Sequence, residues 1–129
     1  MTSDNLWPTD LSTTEPSGVL PITILREQAI FFTESTTGIL TAQVVTSKDV
    51  NSNFSHNFYI IAPALANYKY LLLTVKHGID LYPINTVGVG RAYGAPNETQ
   101  FKENLKEIFA LEQTRKIVNS LLLQSKEQP

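Results

Sequence analysis

Two alternating runs, residues 54–62 (FSHNFYIIA) and 69–77 (KYLLLTVKH), joined through the linker 63–67 (PALAN), constrain the fold of this chain more than any other feature. Side chains alternate across a strand, so Phe54, His56, Phe58 and Ile60 share one face, and Leu71, Leu73, Val75 and His77 share another. So short a linker favours an antiparallel hairpin. If residues whose numbers sum to 131 pair, Phe54 faces His77 and His56 faces Val75. The two histidines are then diagonal neighbours about 7–8 Å apart between backbones.

The segments on either side extend this hairpin into a sheet. Residues 39–47 (ILTAQVVTS) alternate and read as a strand. Residues 79–87 (IDLYPINTV) contain Pro83, which cannot donate to a ladder, so they read as an edge or broken strand. A helix is predicted over 21–36, with Pro21 suited to its first turn, Ile22, Leu25, Ala29 and Phe32 forming one stripe, and Gly38 as the left-handed terminator. After a glycine-rich loop over 88–96, Asn97 caps a second helical run. Phe101, Leu105, Ile108 and Phe109 form its inner face, and Ile117, Val118, Leu121 and Leu122 continue the stripe. The irregular step over 111–114 leaves one helix or two open.

The order predicts an α+β two-layer sandwich: an N-terminal helix, a four-stranded, mainly antiparallel meander sheet, and a C-terminal helix or helix pair on one sheet face. Ten of residues 1–20 are Ser, Thr, Pro or Gly, and three are acidic. They read as a flexible acidic tail before a single domain over 21–129.

Several functions are excluded or disfavoured. With no cysteine, thiol catalysis, disulfides and thiolate metal sites are ruled out. The longest apolar run, Phe58 to Ala66, has nine residues and is broken by Pro63, against the roughly 20 that a membrane-crossing helix needs. Residues 1–10 lack the basic and apolar regions of a signal peptide, so a cytoplasmic location is expected. Ten Lys+Arg stand against twelve Asp+Glu. The bases are scattered, which argues against nucleic acid unless folding gathers Arg26, Lys69 and Arg91.

Candidate chemistry is sparse. His56 and His77, with Asp80 beyond Gly78, are the residues that would form a two-histidine, one-carboxylate metal set. The spacing matches no metal motif, so no metal or cofactor is assigned; the plain alternative is a hydrogen-bonded, half-buried ring beside a polar turn residue. Gly88, Gly90 and Gly94 are out of step with a dinucleotide fingerprint, and no strand follows the helix. Backbone N–H groups there, with Arg91 and Tyr93, could still hold a carboxylate or phosphate; otherwise the segment is a connector. Ser55 and His56 are adjacent and point to opposite faces, and no nucleophile elbow is present, so no catalytic residue is assigned.

Tyr59, Ile61, Tyr70 and Leu72 fall on the face opposite Phe58 in the preferred register. A sheet apolar on both sides implies an interface. The expectation is a non-catalytic cytoplasmic protein-interaction or regulatory module, binding another protein or itself as a homodimer. The alternative is a small-molecule or anion-binding protein, with or without catalysis, that uses His56, His77 and Arg91.

Overall fold

A computed structural model describes residues 4–9, 19–48, 50–51 and 53–128. Most of the tail, residues 1–3 and 10–18, lies outside the described residues, as do Asp49, Ser52 and Pro129. The first helix, α1, is Pro21–Ser35, followed by strands β1 (Thr41–Lys48), β2 (Phe54–Ala62), β3 (Tyr68–His77), β4 (Ile84–Gly88) and β5 (Arg91–Ala95). Helices α2 (Glu98–Ala110) and α3 (Glu112–Lys126) complete the chain. The class is α+β, with one antiparallel sheet in the order β1-β2-β3-β4-β5. The sheet has five strands where the sequence suggested four.

Helix α1 begins at Pro21 and buries Pro21, Ile24, Leu25 and Ala29, one stripe at helical spacing. It ends one residue earlier than expected and takes its left-handed turn at both Thr37 (φ 51°) and Gly38 (φ 80°). The Gly38 N–H bonds the Thr33 carbonyl and the Thr37 N–H bonds that of Glu34, satisfying carbonyls left free at the helix end. Buried Thr36 donates to the Leu40 carbonyl and accepts from its N–H, which sets the entry into β1.

The β2–β3 register follows the 131 sum from Phe54↔His77 to Phe58↔Leu73, then slips to Tyr59↔Leu71, Ile60↔Tyr70 and Ile61↔Lys69. Leu72 is the extra residue. Such a bulge reverses the facing of everything beyond it. Leu72 turns inward with Leu73, Tyr70 joins the helix side, and Leu71 turns out.

The glycine-rich stretch is a hairpin and not a loop. Val89 and Gly90 are its two turn residues, both at positive φ (53° and 75°), as the twist of a tight hairpin requires. Gly88 lies against β3: a Cβ there would meet the Leu73 Cβ at 2.8 Å. Strand β4 starts after Pro83 and runs inside the sheet, so the proline ends the preceding turn and does not make β4 an edge. Strand β5 is the edge on this side of the sheet, and buried Asn104 of α2 donates to its Gly94 carbonyl at 3.1 Å.

The Asn97 side chain caps α2 through the Gln100 N–H. At Leu111 (ψ 143°) the backbone becomes extended and splits the C-terminal run into two helices, with buried Thr114 donating to the Ile108 carbonyl at 2.7 Å across the break. Phe58 meets Phe109 of α2, and α1 and α3 pack on the same side. All three helices therefore cover one sheet face, while the strand residues that alternate with Phe58 face away from them. Among the described residues, no helix is long and apolar enough to cross a membrane.

Candidate functional site

The open face follows from the pairing. One row across it is Gln43–Tyr59–Leu71, the next Val45–Asn57–Thr74–Val87, and a third Thr41–Ile61–Lys69. Leu71 is 46% exposed, and Val45 and Val87 are exposed beside it. The Lys69 ammonium lies 5.8 Å from the Tyr59 ring centre, a cation–π contact worth about 0.5–1 kcal/mol at an exposed site. Thr74 donates to the Asn57 carboxamide at 2.8 Å, satisfying two polar groups in the middle of the patch. None of the five strands contains Asp or Glu, whereas they hold Lys48, Lys69, Lys76 and Arg91.

Of the four interface candidates, Tyr59 and Ile61 stand on this face. Tyr70 and Leu72 do not: the bulge turns both to the helix side, where Leu72 is 4% exposed and Tyr70 lies across from Ile117 and Leu121 of α3. Leu71, Val45 and Val87 take their place. In β1 the alternation of Leu40, Ala42 and Val44 with Thr41 and Gln43 places Val45 on the Thr41 and Gln43 face; for Leu71 there was no such signal, because its facing depends on the bulge.

At one end of the covered face, His56 and His77 meet, with their Nε2 atoms 2.8 Å apart and ring centres at 4.9 Å. They are 4% and 7% exposed. The Gly78 carbonyl can only accept, so His77 Nδ1, at 2.8 Å from it, carries a proton. In neutral His77, Nε2 is then the acceptor, so His56 Nε2–H donates to it and His56 Nδ1 accepts from the Thr46 hydroxyl at 2.9 Å. The polar atoms form a relay running Thr46 to His56 to His77 to Gly78, every ring nitrogen satisfied. Phe54 stacks on His77 at 5.5 Å. Burial first, then the charges of His77 and Arg26, lower His56 from 6.5 to about 4, so it is neutral at pH 7.

The other candidates do not join this pair. Asp80 is exposed in the turn after Gly78, and among the described residues no three of His, Asp or Glu converge on a metal position. Arg91 sits four residues along β5 from Ala95, which shares a row with His77 and Ile84; at about 3.3 Å per residue that is roughly 13 Å along the strand. It lines a surface hollow with Glu112 and Lys116 of α3 instead. Tyr93 faces the interior opposite Thr86, its hydroxyl buried without a hydrogen-bond partner among the described residues. Arg26 on α1, Lys69 on the open face and Arg91 at the β4–β5 turn lie in three separate regions and form no basic patch.

No family model matches the chain, and no curated protein and no solved structure is similar enough to it to carry an argument.

Proposed function

We propose that this chain is a non-catalytic, cytoplasmic protein-interaction module that docks an acidic partner protein on the open face of its sheet. The observation carrying this reading is that face itself: Val45, Tyr59, Ile61, Leu71 and Val87 stand among Lys69 and Lys76 with no acidic side chain in any strand. Aromatic and aliphatic side chains supply the contact area, and the lysines select a partner carrying carboxylates. A second copy of the chain is the weaker occupant, because stacking two such faces sets lysine against lysine. The test combines sedimentation of the purified chain with capture from its native extract by wild type, Leu71→Asp and Lys69→Glu/Lys76→Glu. A monomer whose acidic partner is lost in both variants, and released by salt, supports the reading. A dimer dissolved by Leu71→Asp replaces it with self-association; capture unchanged in the variants ends it.

A further inference from the structure

The helix-covered side holds two hollows that adjoin. The first, about 210 Å3, lies between α1, the sheet and the α2–α3 bend, and its walls include Phe31 and Phe32 of α1, Phe58 and Leu72 of the sheet, Phe109 of α2 and Val118 of α3. No charged side chain lines it. Its α2 and α3 walls, Phe109, Thr114 and Val118, flank the extended backbone at Leu111. The polar groups at its edge are already engaged: Thr114 donates to Ile108 and Ser35 to Phe31. Apart from the Gln28 amide at its edge, the slot therefore offers carbon surface, and Phe31, 55% exposed, stands at its mouth.

The second hollow, about 530 Å3, shares Gln28 and Phe109 with the first. Three cations, Lys102, Lys106 and Arg115, line it against one acid, Glu27. Lys102 is held by Glu98 at 3.0 Å, whereas Lys106 and Arg115 have no ion pair among the described residues. Gln28, at the junction, likewise makes no side-chain hydrogen bond there, so its amide is available at the point where carbon surface gives way to positive charge.

We propose that the two hollows together bind a small amphipathic carboxylate. Its apolar body lies against Phe58 and Phe109, and its carboxylate meets Arg115 and Lys106. Size and charge both select this class. An apolar cavity of roughly 150 Å3 accommodates a benzene ring, so the slot takes a phenyl ring or a short acyl chain but not a whole membrane lipid. A guanidinium presents paired donors that fit a carboxylate, and Lys106 adds a second cation. This site lies on the side of the sheet away from the proposed protein-docking face and stands or falls independently of it.

The test titrates the full chain with 4-phenylbutyrate and octanoate, using calorimetry and amide NMR shifts, with 4-phenylbutylamine as the charge-reversed probe. Saturable binding of the acids is expected, with shifts in α1 and α3 and an affinity about tenfold above that of the amine, the effect of one charge-assisted contact. Arg115→Ala should weaken the acids about tenfold without weakening amine binding, and Val118→Phe should block every probe by filling the slot. Because Val118→Phe could disturb packing, exposed Arg115→Ala carries the test alone if that variant does not fold. No saturation by about 10 mM of either acid, or equal binding of acid and amine, would overturn the proposal.

Discussion

Phe58 and Tyr59 are adjacent in β2, yet they belong to regions governed by different physics. Phe58 points into the helix layer, where it and its row partner Leu73 are almost wholly buried. Tyr59 points away and keeps a lysine as its nearest charge. The covered face is where apolar area leaves water, so it holds the fold together. The open face leaves Val45, Leu71 and Val87 in contact with water.

The sharpest way to break this contrast is to truncate each neighbour in turn. Phe58→Ala is expected to cost about 3–5 kcal/mol through lost burial and a residual cavity, and Tyr59→Ala less than ~1 kcal/mol, both measured by urea unfolding. Equal losses would mean that the open face is part of the core.

The next effect concerns the polar end of the covered face. Below its ordinary value in the folded state, His56 binds fewer protons there than in the unfolded chain. Its contribution is therefore complete above pH 6.5 and drains away as the pH falls toward about 4. The span corresponds to at most about 3 kcal/mol. Stability measured across this range should fall with acid in wild type, and the slope should flatten in His56→Gln.

Two glycines give the smallest test. Gly88 on the covered side has no room for a methyl group beside Leu73, whereas a Cβ at Gly94 on the open side meets nothing within 4 Å. Gly88→Ala should destabilise by about 1–3 kcal/mol through overpacking. Gly94→Ala should be neutral or stabilising by about 0.5 kcal/mol, since it restricts the unfolded chain. Thermal unfolding of the two variants side by side distinguishes them.

These contrasts also show what could be read from the residues. The register of Phe54–Phe58 against Leu73–His77, and with it the meeting of the two histidines, was legible because both strands alternate cleanly there. The bulge was not: Leu71-Leu72-Leu73 has no phase, so nothing in the string says which leucine is extra. That single residue moved Tyr70 and Leu72 off the open face and put Leu71 on it. Strand β5 was illegible for a different reason. Arg-Ala-Tyr-Gly-Ala has little strand character of its own and is held by pairing with β4 and by Asn104, neither of which is local. The two-hollow site had no sequence signal, because it exists only where α1, the sheet and the break at Leu111 come together.

The Thr46–His56–His77–Gly78 relay is a row of dipoles all pointing one way, and its anchored end cannot turn because a carbonyl has no proton to give. Should His56 take up a proton, it can bind only at Nδ1, and His56 Nδ1–H would then donate to Thr46. The Thr46 hydroxyl, on an exposed residue, would then swing its own hydrogen outward. Protonation of buried His56 is in this way displayed at the surface of β1.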